Sequence, residues 1–364
     1  MVLQLGLVGL PNVGKSTLFN ALTEAGATVA SYPFTTIEPN VGIVPVPDER
    51  LMRIAEIIRP ERVTPTTLRV VDIAGLVEGA NRGEGLGNQF LSHIRNVDAI
   101  AMVVRCFHDE NVAHVTSDLN PVEDIETIEL ELILADLEVM ERHEEQMKRQ
   151  AKAHPQDLAD ELSTVEHVTD QLHQGKMIHA LDLSSEEREY LEDVALLTDK
   201  PVLYVANVDE AKLPRGGARA ERVREEAEAK GAQAIALCAA LEAELATWPE
   251  EEAKAYLAEF GVERGLHRFI RAGYRLLDYI TFLTTTGGKE VRAWTLQRGQ
   301  TALEAAGRIH TDMQKGFIRA EVVRYQDLVE AGSMRQVRET GTLRVEGRDY
   351  VVQDGDILHI RFAT

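Results

Sequence analysis

Gly9-Leu10-Pro11-Asn12-Val13-Gly14-Lys15-Ser16-Thr17 fits the pattern G-x-x-x-x-G-K-[ST] close to the start of a 364-residue sequence. The apolar run Leu3 to Val8 reads as a buried parallel strand, and Leu18 to Leu22 as the helix that follows the glycines. In that context the loop can close on an anion, with successive backbone N–H groups and the helix N-terminus aimed at phosphate oxygens. Asn12, Val13, Gly14, Lys15, Ser16 and Thr17 are therefore the expected nucleotide-phosphate cradle. Lys15 should reach the β- and γ-phosphates, and the Ser16 hydroxyl should ligate Mg²⁺. A glycine turn with a chance lysine is the alternative; the flanking strand and helix weigh against it.

Two further stretches read as phosphate sensors. Ser31 to Asn40 carries two prolines and the pair Thr35-Thr36, and Thr36 is the candidate to close on the metal. Leu68 to Gly75 reads as a strand ending in D-x-x-G. Asp72 would hold the metal through water, and the Gly75 N–H would meet the γ-phosphate as part of the catalytic set. Leu76 stands where many GTPases carry a water-orienting Gln, and an isobutyl group cannot hydrogen-bond a water. Hydrolysis should be slow, or another group must orient the nucleophile.

The strand Pro201 to Ala206 leads into Asn207-Val208-Asp209-Glu210, where guanine-specific NTPases have N-K-x-D. A carboxylate one methylene longer would not meet guanine N1–H and its exocyclic amine in the same register. Val208 replaces the lysine that packs on the base. Cys238-Ala239-Ala240 stands where S-A-K is usual, again without its lysine. Losing several such contacts costs about tenfold per 1.4 kcal/mol. Asn207, Val208, Glu210 and Ala239 are thus the base-end candidates, and ATP is expected over GTP.

Composition bounds the rest. Hydrophobic residues make up 44% of the chain, with no run of eighteen, so no membrane span is expected. With a strand read at the amino end no cleaved leader is expected, and the two cysteines, Cys106 and Cys238, read as buried free thiols of a reducing cytoplasm. Net charge is −21, which argues against nonspecific nucleic-acid binding by the whole molecule. From Arg264 onward, however, 16 Lys and Arg face 12 Asp and Glu, so a basic module on an acidic body is one reading and ordinary surface variation the other.

Between the strands Ala99 to Cys106 and Val202 to Val205 lie far more residues than one crossover helix needs. Ile125, Ile128, Leu132, Ala135 and Val139 recur at 3-4-3-4 spacing, and Leu158, Leu162, Val165 and Leu172 resume the stripe after His154-Pro155. An antiparallel helical hairpin over 121–199 is expected, inside a nucleotide domain formed by 1–120 and 200–278. Residues 122–199 hold 22 acidic and 6 basic groups, either a solvated coiled coil or an arm for a basic partner. From 279 to 364 the pattern changes to strands at Tyr279–Thr285, Val291–Leu296, Phe317–Arg324 and Ile357–Phe362, with a helix Thr301–Gln314. That mixture suggests a β-grasp module.

Gly9 to Thr17, Tyr32 to Gly42 and Asp72 to Gly87 together resemble the Obg-related branch of translation-factor-class P-loop NTPases. Asp72-Ile-Ala-Gly-Leu through Asn88-Gln-Phe-Leu91 is similar to the YchF or Obg-like ATPase family, nearly over the whole length. Ile280-Thr-Phe282 and Val352 to His359 resemble the TGS domain. The resemblance implies an α/β P-loop G-domain sheet with an inserted coiled-coil arm and a C-terminal α+β β-grasp (TGS) domain. It implies ATP hydrolysis with Mg²⁺, His114 in Asn111-Val-Ala-His-Val as the catalytic group acting on water, and K⁺ held by Asn12. A turn role for Asn12 is an equal alternative. The implied partners are ATP and the ribosome, as large subunit or whole 70S particle, with RNA contact through the TGS domain, no membrane and a monomeric chain.

Overall fold

The computed structural model describes residues 4–24, 28–29, 40–73, 86–109, 119–152 and 158–363. The chain divides into two compact units, Met1–Val44 with Arg69–Phe269, and Pro45–Leu68 with Ile270–Thr364.

The first unit is built on strands β1 (Gln4–Val8), β2 (Thr28–Val29) and β3 (Asn40–Pro45), together with β5 (Thr67–Asp72), β6 (Ala99–Arg105), β7 (Val202–Asn207) and β8 (Gln233–Leu237). Among the described residues their order is β2-β3-β5-β1-β6-β7-β8. β1 lies parallel between β5 and β6, with Leu7 opposite Asp72 on one side and Ala101 on the other. Every residue of β6 and β7 is buried. Parallel strands covered on both faces need such continuous apolar runs. Helices α1 (Lys15–Glu24), α3 (Leu86–Arg95), α7 (Gly217–Ala229), α8 (Ala239–Ala246), α9 (Glu250–Glu259) and α10 (Gly265–Leu276) complete the α/β arrangement. The C-terminal ends of β1, β5, β7 and β8 come to one edge of the sheet, where ligands of open α/β sheets bind.

The long insertion is helical. α4 (Pro121–Ala151) and α5 (Ala159–His173) lie against each other. Glu141 meets His173 at 3.4 Å and Lys148 meets Glu166 at 2.9 Å, so seven residues forward on α4 correspond to seven backward on α5. That relation makes the pair antiparallel. α4 does more than form an arm, because its first half is also a body helix. Glu129 on it takes hydrogen bonds from the Tyr204 hydroxyl and the Lys230 ammonium, both at 2.6 Å. Asp136, 1% exposed, accepts from the Leu197 N–H, the Thr198 N–H and the Thr198 hydroxyl. A short helix, α6 (Ser185–Leu191), starts with a Ser184–Glu187 capping box.

The second unit carries a sheet of order β12-β11-β13-β9-β10-β4, with β4 (Arg62–Thr64), β9 (Tyr279–Thr286), β10 (Glu290–Gln297), β11 (Phe317–Arg324), β12 (Arg344–Glu346) and β13 (Asp356–Phe362). Strand alternation splits its core in two. Phe282, Leu296, Val322 and Leu358 face α11 (Ala302–Ile309). Leu283, Ala293, Val323 and Ile357 face α2 (Glu49–Ile58), α13 (Tyr325–Ala331) and α14 (Met334–Glu339). Residues 45–68, which the sequence reading places in the nucleotide domain, belong here. Leu51 and Ile54 of α2 bury against the sheet, and β4 extends it in parallel beside β10. The expected helix Thr301–Gln314 is two helices, α11 and α12 (Thr311–Lys315). His310 between them has extended backbone, and its ring nitrogen accepts from the Asp312 N–H. Cys106 and Cys238 are buried and free.

Among the described residues no helix is long and apolar enough to cross a membrane.

Candidate nucleotide site

The loop after β1 is shaped by what it must avoid. A Cβ on Gly9 would lie 2.7 Å from the Val103 carbonyl of β6, so the backbone can pass only without one. Asn12 (φ 62°) and Gly14 (φ 90°) take left-handed conformations, and a Cβ on Gly14 would collide with the Asn207 carboxamide. The first intrahelical bond of α1 is Leu18 N–H to the Gly14 carbonyl, 3.0 Å. The amides of Lys15, Ser16 and Thr17 before it are the open donors of a helix start. Ser16 and Thr17 are exposed, while Lys15 is 8% exposed.

Lys15 forms an ion pair with Asp72 at the end of β5, so the charge of the loop and the carboxylate of the next strand share one place. The donors here are hard oxygens, the Ser16 hydroxyl and the Asp72 carboxylate, beside a cation that neutralises part of the local charge. That set fits Mg²⁺, which takes few protein ligands and keeps phosphate and water oxygens for the rest.

At the other end of the same cleft, β7 delivers Asn207, 4% exposed. Its Nδ2 donates to the Val13 carbonyl and its Oδ1 accepts from the Ala239 N–H, each at 2.9 Å. The carboxamide is held between two loops, so Asn207 braces the phosphate loop against the start of α8. Val208 is buried, its N–H donating to the Leu237 carbonyl at 2.9 Å. Glu210 is exposed and accepts from the Tyr256 hydroxyl of α9 at 2.9 Å. The Tyr256 ring packs edge-on to Trp248, centroids 5.5 Å apart, and tilted against Phe260 at 5.1 Å. Cys238 precedes α8, and burial pushes its thiol above the ordinary range. It stands there as a neutral group.

The cleft holds about 810 Å³ and is lined by Asn12 to Thr17, Asn207, Val208, Glu210 and Ala239 together. Lining residues that carry no signal in the sequence include the consecutive Phe107, His108 and Asp109. Arg105, 2% exposed, fixes them. Its guanidinium sits 4.7 Å from the Phe107 ring centroid and donates to the Asp109 carbonyl at 3.2 Å. The His108 N–H donates to Asp209 at 3.3 Å. An arginine at the end of an apolar strand is the hint that could have found this segment. Tyr256 has no local signal, because only folding brings α9 to Glu210. Thr36, Gly75, Leu76 and His114 lie outside the described residues.

Residues 4–136 match a family described as 50S ribosome-binding GTPase, and residues 279–363 match the YchF-GTPase_C family, described as a protein of unknown function. The chain is 51% identical over 358 residues to the "Ribosome-binding ATPase YchF" of Pasteurella multocida, covering 98% of each chain. It is 48% identical to the protein of that name in Bacillus subtilis, covering 100% of each. The solved Schizosaccharomyces pombe YchF GTPase superposes with a TM-score of 0.88 at 36% identity, covering 99% of this chain and 97% of that one. With a phosphate loop braced by Asn207 and full-length likeness to these relatives, the chain belongs to the YchF family.

Proposed function

We propose that this protein is a Mg²⁺-dependent ATP-binding and ATP-hydrolysing switch that associates with the ribosome according to the nucleotide it holds. The observation that carries the reading is that Lys15, Val208 and Glu210 line one and the same cleft.

In this reading the amides of Gly14 to Thr17 bind the phosphate chain, and Lys15 exchanges Asp72 for the β- and γ-phosphate oxygens. Bound Mg²⁺ would neutralise charge on those oxygens, held by Ser16 and, through water, by Asp72, with Thr36 as the closing ligand. The Gly75 N–H senses the γ-phosphate. Leu76 cannot orient water, so His114 takes that role, an imidazole being able to orient or deprotonate the nucleophile. Asn12 offers a carboxamide oxygen for K⁺ beside the phosphates. Glu210 accepts from the adenine amine, while Val208 and Ala239 present no lysine to a guanine.

The ribosome would be met as the large subunit or the 70S particle by a monomeric cytoplasmic protein. The C-terminal strands act as a TGS-type β-grasp module that touches RNA. The hairpin over 121–199 is a separate arm. Calorimetry of ATP-Mg²⁺ against GTP-Mg²⁺ tests the first part; a tenfold preference for the guanine nucleotide would sink it. Ribosome co-sedimentation with ATP, ADP and no nucleotide tests the second, and Lys15→Ala should remove the nucleotide dependence. Leu76 favours a second reading, in which nucleotide orders the switches and turnover is incidental. Single-turnover phosphate release from His114→Ala separates the two: an unchanged rate supports the second.

A further inference from the structure

The sheet of the second unit contains a fork. β13 pairs in parallel with β9 at Ile357–Leu283 and Leu358–Thr284. There the ladder stops, although β9 continues to Thr286 and β13 to Phe362. Both strands stay paired on their outer sides, β9 to β10 and β13 to β11. Along β13 the side chains of Ile357, His359 and Arg361 share one face, and Glu321 lies opposite His359 on β11. α2 and α14 cover Ile357 and Val323 on this face, but His359 and Arg361 remain exposed. A cavity of about 490 Å³ opens over the fork. Its base is apolar, with Ile58, Met334 and Leu343, and one wall is the Gly287-Gly288 turn, whose residues have φ of 52° and 84°.

The rim of this cavity is cationic. Arg361 is tied to Glu321, with Nε to Oε1 at 2.9 Å and Nη2 to Oε2 at 3.3 Å. The Arg338 side chain, from α14, is exposed and has no ion pair among the described residues. His359 feels both and is held below the ordinary imidazole range, first by partial burial of its ring and then by Arg361 and Arg338, with Glu321 opposing. Arg319 also faces Glu321. The cluster therefore carries net positive charge, and a dianion entering it would relieve that charge. Two guanidiniums and an imidazole match the oxygens of a phosphate, and arginine suits such recognition by its planar array of donors. The cavity exceeds a bare phosphate, and its apolar base offers Met334 as a soft contact for a flat organic group.

We propose that the fork between β9 and β13 binds a nucleotide through its phosphomonoester, held by Arg338, Arg361 and His359, with the nucleoside part on Ile58, Met334 and Leu343. The same chemistry is presented by a free mononucleotide and by the 5′-phosphorylated end of a single-stranded RNA. The choice of RNA as a source rests on the reading of this unit as an RNA-touching module; the site itself does not.

The test uses the full chain with the first cleft saturated by a non-hydrolysable ATP analogue and Mg²⁺. Inorganic phosphate, AMP, a 5′-phosphorylated hexanucleotide, its 5′-hydroxyl counterpart and a peptide with a free C-terminal carboxylate are titrated by calorimetry. The His359 ring resonances, assigned with His359→Gln, are followed by NMR. AMP, the phosphorylated RNA or both should bind and raise the His359 pKa, while the 5′-hydroxyl RNA binds at least about tenfold more weakly. Arg338→Gln should weaken binding about tenfold and Glu321→Gln should tighten it, with ATP turnover unchanged in both. AMP binding without RNA binding upholds the site and removes RNA as its ligand. No His359 response to any phosphate probe up to about 10 mM, a response that survives Arg338→Gln, or binding of the peptide alone would each overturn the proposal.

Discussion

Asn207 and Val13, 194 positions apart in sequence, are joined by a 2.9 Å hydrogen bond from carboxamide to carbonyl, while the same carboxamide accepts from the Ala239 N–H. The phosphate loop is thereby referenced to β7 and α8, and its shape does not depend on nucleotide contacts alone. Asn207→Asp places an acceptor against the Val13 carbonyl and leaves a buried charge there. ATP affinity should fall by about tenfold to a hundredfold, equivalent to about 1.4–2.8 kcal/mol, as measured by calorimetry. Gly14→Ala should do the same for a steric reason, since its Cβ has no space beside Asn207 and its φ of 90° strains any side chain.

Tyr256 sets the direction of Glu210. The hydroxyl donates to Oε1 at 2.9 Å, and the ring is steadied by Trp248 and Phe260. Because both groups reach solvent, the bond is weak. Tyr256→Phe should reduce the ATP-over-GTP preference about twofold to fivefold without changing folding, as read in a competition titration. An unchanged ratio would mean that Glu210 does not read the base.

Asp136 anchors α4 to the body. Both carboxylate oxygens accept, Oδ1 from Leu197 and Oδ2 from the Thr198 amide and hydroxyl. Asparagine is nearly isosteric but must turn an NH₂ toward one set of donors. Asp136→Asn should therefore lower the unfolding free energy by about 1–3 kcal/mol, read from denaturant midpoints at constant slope. Leu130→Ala, on the exposed side of the same helix, serves as the near-neutral control.

His179 gives a pH dependence with a defined sign. Burial lowers its pKa below 6.5, opposed by the Thr198 carbonyl, Glu129 and Asp199 and reinforced by Lys230. The unfolded chain therefore binds a proton near pH 6.5 that the folded chain refuses, and stability falls as pH drops through about 6.5 toward the folded pKa. The Tm of the parent should decline between about pH 7.5 and 5.5 more steeply than that of His179→Gln. Equal slopes would exclude this histidine as the cause.

The sequence by itself determined the parts whose signals are local. The glycines and lysine of residues 9–17 announce a phosphate loop because the close backbone approach admits nothing larger. The apolar run of β6 announces a buried parallel strand, and the stripe from Ile125 to Ala135 a packed helix. Glu210 and Val208 could be singled out because they follow the end of a strand, and both line the same cleft as the phosphate loop. Tertiary structure decided the rest, wherever a residue's role comes from something remote. Nothing near Pro45–Leu68 says that α2 and β4 belong with strands more than 200 residues later, since an amphipathic helix shows that it must be covered but not by what. Arg105 and Tyr256 acquire their roles only when β6 and α9 bring them to the cleft, and the fork in the C-terminal sheet exists because two parallel strands stop pairing before they end. Local chemistry is written residue by residue; contacts across long loops are settled by packing, and packing is a property of the whole chain.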